Sequence, residues 1–483
     1  MSSAHVPHIP GQRKVPLRTK VTWGFGGLAD NFMFNTLTAL GTLVYVTHFN
    51  FSAGLAGLAL AMPRLVDAFT DPWIGNYSDN LQSKYGRRRP LMFIGVIICA
   101  MLLPLLWTPI GIETVGNPWY SNIPFWYVVI IGSLFAVAYT LFVVPYTALG
   151  FELTPDYDER TRVLRWRMLI GLAGSLAAGW LFKLAAADLF PNVGVGAFWV
   201  TIGVAAIVLV SGLIPTFGCK EELAIEQQEP IKLFEAIKYT MTNKPFFILF
   251  VSYVMIIVAL FSAQSIAPLI MLDFVFQGNA KELGTFTGLL TTVAVTLSYF
   301  SIYFIGYLSV RFNKRMAMII GLIFVTVGNA LNFWAMDPRW VWAMYIVGGI
   351  TFIGMQGCWL MVDSMVADVC DDDELETGRR REGMFSSVKG FALKAAQALT
   401  FGIGGYMATA AGYDPLAIDA GGLDTDIAVR MKALLIGFQT IGLLIAILLI
   451  WFYPISRERA EATQRKLEEI ARESDAKDDE IVS

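Results

Sequence analysis

The sequence carries little charge for its length of 483 residues. Asp, Glu, Lys and Arg make up 16% of it, whereas about a quarter of an average soluble domain is charged. The net charge is −3, which excludes the broad basic field that nucleic-acid-binding proteins use. Apolar residues make up 55% of the chain and its mean hydropathy is +0.57. A single water-soluble core cannot hide so much apolar surface, so we expect a lipid bilayer to surround the protein.

Histidine and cysteine are also scarce, with three and four residues. They show neither the spacing of metal ligands nor a paired disulfide framework. The sequence also lacks a glycine-rich phosphate loop and a nucleophile elbow. We therefore predict no enzyme activity, no metal centre and no cofactor. The first twenty residues have no apolar segment, so no cleavable signal peptide is predicted.

Long apolar runs are abundant. A membrane-spanning helix needs about 20 mostly apolar residues, and twelve such runs are present. They lie near 21–48, 52–76, 91–111, 124–151, 167–190, 196–217, 246–276, 284–310, 316–336, 340–369, 384–411 and 430–453. Lys and Arg concentrate in alternate loops, which predicts that both termini are cytoplasmic. We expect an integral protein of the plasma membrane, or of the inner membrane in a bacterium.

The loop sequences repeat six helices apart. "GNYSDNLQSKYGRRR" after helix 2 has a weak echo in "GYLSVRFNKR" after helix 8, and "ELTPDYDERTR" is echoed by "ADVCDDDELETGRRR". The fold class is therefore predicted to be all-α, a polytopic membrane protein with two six-helix halves related by a parallel repeat. The predicted units are an N-terminal tail at 1–20, a first half at 21–217, a central loop at 218–245, a second half at 246–453 and a charged tail at 454–483.

Two acidic residues lie within the second predicted helix. Asp67 and Asp71 are four residues apart, so they share one helix face. Ionisable groups at membrane depth usually line a cavity or pair with one another. Two facing carboxylates repel, so one must be protonated or a cation must lie between them. The pattern predicts a site for Na⁺ or H⁺.

Two basic residues are the candidate partners of this acidic pair. Lys394 lies ten residues into helix 11, too deep to reach water easily, and Arg64 is one turn from Asp67. In one interpretation Lys394 links cation occupancy to the way the halves meet. In the alternative, each Asp only pairs with Arg64 or Lys394 to hold helices together, or Lys394 extends to the cytoplasmic edge.

A charged hairpin follows helix 2. It contains Asp79, Arg87, Arg88 and Arg89. In one interpretation this hairpin is only an anchor that follows the positive-inside rule. In the other it is a cytoplasmic gate that latches the two halves when the outside is open. Trp359, deep in helix 10, is a candidate platform on which a sugar ring stacks, although aromatic residues also serve in helix packing.

On the basis of these residues and the stretches around them, the sequence resembles the glycoside–pentoside–hexuronide:cation symporter family of the major facilitator superfamily. The similar stretches are "GFGGLADN", "RLVDAFTDPWIGNYSDNLQSKYGRRRP", "ELTPDYDERTRVLRWR" and "MVADVCDDDELETGRRREGMFSSVKGFALK". The resemblance covers nearly the whole chain and implies the major facilitator fold. It also implies that Asp67 and Asp71 bind the coupling cation with Lys394 close by, and that Arg167 and Trp359 line the solute pocket.

The resemblance is incomplete at the solute site. The family's sugar-binding acid of helix 1 falls at Asn31, with Asp30 one residue earlier. Its helix 4 acid falls at Val143, and an aromatic residue of that helix falls at Thr147. The implied solute-binding positions are therefore Asp30, Asn31, Arg167, Trp359, Val143 and Thr147, with galactoside specificity in doubt.

The predicted function is secondary active symport of a glycoside or sugar-like solute with Na⁺ or H⁺ by alternating access. The alternative is transport of a lipid-like or other amphipathic solute on the same scaffold. A membrane-embedded enzyme and a non-transporting sensor are weaker alternatives. The expected partners are a small-molecule solute, a monovalent cation and the bilayer, with no nucleic acid, and the expected state is a monomer.

Overall fold

The computed structural model of the protein describes most of the chain. The described residues are 15–81, 83–110, 119–154, 157–219, 233–378, 381–415 and 423–482. They form helices and short turns, with no strand among them. The all-α prediction is confirmed.

The first half consists of helices α1 to α7. Their bounds are α1 Leu17–Thr47, α2 Ala53–Asn80, α3 Arg89–Leu105, α4 Ile123–Glu152, α5 Tyr157–Ala178, α6 Leu181–Ala185 and α7 Val193–Gly218. Side-chain caps fix the starts of several helices. The side chains of Ser52, Asn122 and Asn192 each accept a hydrogen bond from the backbone N–H of the residue three positions further along the chain. These caps satisfy amide groups that a helix end leaves unpaired.

The second half begins with a short helix, α8, before the long helices resume. The bounds are α8 Leu233–Thr242, α9 Lys244–Leu269, α10 Ala280–Arg311, α11 Lys314–Ala335, α12 Ala343–Thr377, α13 Glu382–Ala410, α14 Thr425–Trp451 and α15 Arg457–Val482. Residues 270–275 extend α9 by a π-helical turn. Residues 220–232 of the predicted central loop lie outside the described residues.

Nine helical segments of the described chain are long and apolar enough to cross a bilayer. The other three predicted spans correspond to α1, α3 and α13. Helix α3 has 17 residues, while α1 and α13 have 31 and 29. The interiors of α1 and α13 carry Asp30, Asn31 and Lys394, which lower their hydropathy because polar groups favour water.

The fifth predicted span differs from the structure. The run at 167–190 predicted one helix, but α5 ends at Ala178 and α6 begins at Leu181. At the break, a Cβ on Gly179 would lie 2.5 Å from Cβ of Thr291 in α10. The absence of a side chain at Gly179 therefore lets the two halves approach closely at this point.

The repeat is visible in the ion pairs of the two halves. In the first half, Arg88 at the start of α3 pairs with Glu152 at the end of α4, at 2.6 Å. In the second half, Lys314 at the start of α11 pairs with Asp368 near the end of α12, at 2.7 Å. The same helix ends are joined by the same charge pattern, as two related halves require.

We call the end of the bundle where α1 begins and α14 finishes the terminal face, and the other end the opposite face. The halves meet toward the opposite face. A Cβ on Gly57 of α2 would lie 2.4 Å from the carbonyl oxygen of Phe401 in α13. A Cβ on Gly284 of α10 would lie 2.5 Å from the Lys183 backbone in α6. An ion pair between Lys281 and Asp188 also joins the halves there.

Candidate functional site

The predicted acidic pair lies at the contact between α2, α4 and α13. Asp67 is fully buried, and the side chain of Asp71, one turn further along α2, is 29% exposed. Asp67 is therefore enclosed by protein, while Asp71 is partly accessible. Burying two like charges side by side is unfavourable unless other groups offset their repulsion.

Thr140 of α4 lies between the two carboxylates. Its hydroxyl oxygen is 2.5 Å from Oδ1 of Asp67 and 2.9 Å from Oδ1 of Asp71. A hydroxyl has a single proton and can donate to only one of these oxygens. The other oxygen must donate a proton to Thr140 or be compensated by a cation. Our sequence reasoning missed Thr140, although a hydroxyl within the apolar run "AVAYTLFVV" was an available signal.

Lys394 of α13 lies on the other side of the pair. Its Nζ is 2.9 Å from Oδ2 of Asp67 and 2.5 Å from Oδ2 of Asp71. The predicted ion pairing of Lys394 is therefore present, and it connects the second half of the protein to the first. With both carboxylates ionised, two negative charges face one ammonium group, so the cluster carries one net negative charge.

The donor set of this cluster suits a small hard cation. Carboxylate and hydroxyl oxygens are the ligands that such ions prefer. Within the described part of the chain, no group of three or more His, Cys, Asp or Glu residues could hold a metal ion.

Arg64 does not join the cluster. Its guanidinium carbon lies 4.7 Å from the ring centroid of Phe34 in α1. Among the described residues, no ion pair links Arg64 to Asp67 or Asp71, so the predicted pairing of Arg64 is wrong for this conformation. The physical reason is that Lys394 already occupies the second oxygen of each carboxylate, while the aromatic face of Phe34 offers a favourable contact for a guanidinium.

A second, partly buried cluster surrounds Asp30 of α1. Its Oδ1 accepts a hydrogen bond from the Tyr139 hydroxyl at 2.7 Å, and its Oδ2 pairs with Arg167 of α5 at 3.0 Å. The guanidinium also lies over the rings of Tyr146 and Trp23, at 5.3 and 5.9 Å from their centroids. One acid and one base make this cluster electrically neutral, in contrast to the first.

Close packing of α1 on α5 positions this second cluster. A Cβ on Gly27 would lie 2.8 Å from both Cγ and the carbonyl oxygen of Arg167. A Cβ on Gly171 would lie 2.7 Å from Nδ2 of Asn31. The stretch "GFGGLADN" therefore supplies small residues where α5 approaches, which brings Arg167 to Asp30.

Asn31 is engaged in a separate polar network. Its Oδ1 accepts a hydrogen bond from the Ser175 hydroxyl at 2.7 Å, and its Nδ2 donates to the Gly27 carbonyl at 2.9 Å. Asn35, one turn further along α1, donates to the Asn31 carbonyl at 2.9 Å. Sequence reasoning predicted Asn31 as a solute-binding position but missed Asn35 and Ser175.

The remaining predicted solute positions lie on α4 and α12. Val143 and Thr147 are half-buried on α4. Trp359 of α12 packs edge to face against Tyr253 of α9, with ring centroids 5.9 Å apart. This contact lies within the second half, whereas Arg167 belongs to the first.

The predicted cytoplasmic gate lies at the terminal face. Arg87 and Arg88 both donate to Glu152, at 3.1 and 2.6 Å. Arg89 donates to the carbonyl oxygen of Thr216, at 2.6 Å. These contacts stay within the first half, so the arginines do not act as a latch between halves through them. The side chain of Asp79 lies outside the described residues.

Another carboxylate of the first half is also held at the terminal face. Glu159 pairs with Lys20 at 2.5 Å and Arg162 at 3.2 Å, and accepts the Val15 amide at 3.0 Å. The hydrogen bond from Lys20 is the largest influence, and together with Arg162 it lowers the pKa of the Glu159 carboxyl. The start of α5 is thereby fixed to the start of α1.

A family model described as MFS/sugar transport protein matches residues 22–457. The uncharacterised symporter YjmB of Bacillus subtilis (strain 168) is 26% identical over 461 residues, covering 92% of this chain and 94% of that protein. The glucuronide carrier protein homolog of Escherichia coli (strain K12) is 25% identical over 480 residues, covering 95% of each.

A crystal structure of a D-xylose–proton symporter resembles the model with a TM-score of 0.64 at 14% identity. The match covers 91% of this chain and 98% of that chain. At this identity the likeness shows the fold alone, and it confirms the predicted major facilitator architecture.

Proposed function

The chain belongs to the MFS/sugar transport protein family, and on that premise we propose that it couples the movement of a sugar-like solute to one monovalent cation. Members of this family are membrane transporters rather than enzymes. The proposal assigns the cation to Asp67, Asp71 and Thr140. It requires no cofactor besides the coupling ion, and it requires only one copy of the chain.

The net charge of the first cluster carries this proposal. Asp67 and Asp71 share Lys394 and Thr140, which leaves one negative charge uncompensated at membrane depth. An uncompensated charge in a low-dielectric site is costly, so a single Na⁺ or H⁺ is stabilised there. The oxygen donors support either ion.

The position of Lys394 supports a coupling mechanism. Lys394 belongs to the second half and both carboxylates belong to the first. A cation that binds the carboxylates competes with the ammonium group for the same oxygens. Cation binding therefore weakens one contact between the halves, which allows them to rock about the site. The close contacts near Gly57 and Gly284 mark the face that is closed in this conformation.

We assign the terminal face to the cytoplasm of a cell whose plasma membrane holds the protein. The arginines at 87–89 lie at that face, as the positive-inside rule predicts. In this orientation, the conformation described here is closed toward the outside. The neutral cluster of Asp30, Tyr139 and Arg167 holds α1, α4 and α5 together beside the solute path.

The experiment is concentrative uptake by proteoliposomes that contain Asp67→Asn or Asp71→Asn. A membrane potential of about 100 mV is worth about 2.3 kcal/mol per charge, which supports about fifty-fold accumulation of a neutral solute. In either variant the charge of the remaining carboxylate is neutralised by Lys394 without an added ion. We expect the accumulation ratio to fall to about one, while exchange of labelled for unlabelled solute continues.

Asp363→Asn is the matched control. Asp363 is an exposed carboxylate of α12 that pairs with Lys389 at 2.5 Å, away from the first cluster. We expect its accumulation ratio to match that of the unmodified protein. Unchanged accumulation in both Asp67→Asn and Asp71→Asn would refute the assignment of the cation site.

A further inference from the structure

A cavity of about 240 Å³ lies at the terminal face of the second half. The turn from α10 into α11 and the segment that leads from α14 into α15 both line it. Its volume is below the range of about 300–1,000 Å³ that is usual for whole drug-sized ligands, so it suits a small polar group. No residue of the Asp67 and Asp30 clusters is among the described residues that line it.

The lining of this cavity has more basic than acidic side chains. The charged residues that line it are Lys314, Arg315, Arg457, Asp368 and Glu461. Lys314 pairs with Asp368 at 2.7 Å, and Arg457 pairs with Glu461 at 2.8 Å. In the described part of the chain, Arg315 has no acidic partner. The lining therefore carries one positive charge in excess.

Most N–H groups of Arg315 have no partner in the described structure. This half-buried residue is the second of α11, and its Nη1 atom lies 3.4 Å from the carbonyl oxygen of Trp451. A guanidinium has five N–H donors, and no other hydrogen bond of this side chain is made to a described residue. The guanidinium fork is well suited to bind phosphate through two parallel hydrogen bonds. The remaining donors and the excess charge suit a phosphate-bearing anion.

Arg457 brings a second guanidinium to this cavity from the start of α15. Its Nε donates to Glu461 and its Nη1 donates to the Val310 carbonyl oxygen, both at 2.8 Å. Its Nη2 group makes no hydrogen bond to a described residue, which leaves two donors for an anion. The pair with Glu461 is exposed, and exposed pairs are weak. An anion between Arg315 and Arg457 can therefore gain donors from both α11 and α15.

Exposed apolar side chains lie beside the lining of the cavity. Val310 lines it, and Phe312, Trp451 and Phe452 lie within two residues of lining positions. All four are more than half exposed. Exposed aromatic residues at the ends of spanning helices are typical of the membrane–water interface. The cavity therefore lies at the level of lipid headgroups, which favours a lipid phosphate over a soluble phosphate compound.

We propose that this cavity binds the headgroup of an anionic phospholipid from the leaflet at the terminal face. Arg315 and Arg457 donate to its phosphate, and its acyl chains lie along Trp451 and Phe452. Basic pockets between membrane helices hold such headgroups in other membrane proteins. The bound phosphate joins α11 to α15 and so fixes the tail helix to the second half. The site takes neither the solute nor the coupling cation, so it goes beyond the proposed function.

The test is native mass spectrometry of the full-length protein, released from neutral detergent micelles into which lipid is titrated. The probes are phosphatidylglycerol and phosphatidylcholine with the same acyl chains. Both carry a phosphate, but the choline group cancels the negative charge. We expect the first phosphatidylglycerol to bind at least about ten-fold more tightly than the first phosphatidylcholine. Equal affinity for the two lipids overturns the proposal.

Two variants locate the binding in this cavity. Arg315→Gln and Arg457→Gln each remove one guanidinium and are expected to weaken phosphatidylglycerol binding about five- to ten-fold. Arg311→Gln is the matched control, because Arg311 is exposed in the last turn of α10 and is not among the described lining residues. Its affinity should stay within about two-fold, since solvent screens an exposed charge. The midpoint of thermal unfolding in lipid-free detergent checks that each variant is folded.

The variants also distinguish a built site from general surface charge. Equal losses of affinity in Arg311→Gln and Arg315→Gln would mean that the basic surface, and not this cavity, attracts the lipid. Full affinity in folded Arg315→Gln and Arg457→Gln would exclude the cavity as the lipid site. In either case the symport proposal stands, because it depends on other residues.

Inorganic phosphate is the second arm of the experiment and separates a lipid site from a site for a soluble anion. We expect an excess of inorganic phosphate to displace little phosphatidylglycerol, because the free ion makes none of the apolar contacts of the acyl chains. Complete displacement would contradict the lipid assignment and identify a site for a soluble phosphate compound.

Discussion

Two clusters of charge, each at least partly buried, lie within the helical bundle. They differ in charge balance and in whether they connect the two halves of the protein. The cluster at Asp67 and Asp71 has two acids for one base, and its base comes from the other half of the protein. The cluster at Asp30 has one acid for one base, and all its members belong to the first half. The first is suited to bind and release a cation, while the second is complete without one.

The comparison shows why a buried ion pair alone does not identify a coupling site. Balanced pairs such as Asp30 and Arg167 fix helices in place, and their net effect on stability is often small. An excess of one charge is different, because it makes the stability of the site depend on ion occupancy. Charge balance, rather than the presence of charge, separates the two clusters.

The largest expected effect comes from Lys394→Met. This change leaves two buried carboxylates without a base, and removing one partner of a buried pair typically costs about 3–5 kcal/mol. We expect a clear drop in the midpoint of thermal unfolding at neutral pH in detergent. Lowering the pH or adding the coupling cation should restore much of the loss, because either one neutralises a carboxylate.

Lys389→Met is the control for this experiment. Lys389 lies on the same helix, five residues before Lys394, and pairs with the exposed Asp363. An exposed pair contributes at most about 1 kcal/mol, so little change is expected. Equal destabilisation by the two substitutions would contradict the special position of Lys394.

A smaller effect is expected from Asp30→Asn in the balanced cluster. The amide keeps the shape, but its single oxygen replaces two carboxylate acceptors, so it can accept from only one of Tyr139 and Arg167. The expected cost is about 1–3 kcal/mol. The unpaired group that remains is a guanidinium, which stays protonated at all accessible pH values. The midpoint of thermal unfolding should therefore fall without recovery at low pH or with added cation. Recovery equal to that of Lys394→Met would remove the distinction between the clusters.

The smallest effect is expected from Thr140→Val. The substitution removes one hydroxyl that contacts both carboxylates and costs about 1–2 kcal/mol of cation binding. The cation concentration that gives half-maximal uptake should rise about five- to thirty-fold. Ser133→Ala on the same helix is the control, since Ser133 makes no described contact with either carboxylate. A normal cation dependence in Thr140→Val would exclude Thr140 from the cation site.

Most residues of the first cluster were predicted from the sequence. Asp67 and Asp71 stood out because charges are rare in apolar runs, and their spacing placed them on one helix face. Lys394 stood out for the same reason. Arg64 met the same spacing criterion, but its side chain extends to Phe34 of α1 instead. Helical spacing gives the face on which a residue lies, and it does not give the direction of a long side chain.

The polar residues without charge were harder to find. Thr140, Asn35 and Ser175 are ordinary residues in apolar helices, where a hydroxyl or amide often bonds only to its own backbone. Thr140 contacts Asp67 across 73 residues of sequence, and Ser175 contacts Asn31 across 144. A hydroxyl within an apolar run draws attention to Thr140, but the local pattern does not show which distant residue any of these side chains contacts.

The sequence by itself determined that the chain is a helical membrane protein with paired halves, and that two acids share a face of α2. These properties follow from hydropathy and helical periodicity, which are sums over about 20 neighbouring residues. Only the tertiary structure decided that Lys394 and Thr140 compensate those acids, that Arg167 closes on Asp30 and that Arg315 and Arg457 line one cavity. Each of these depends on how distant helices pack together, because side chains contact only over a few ångströms.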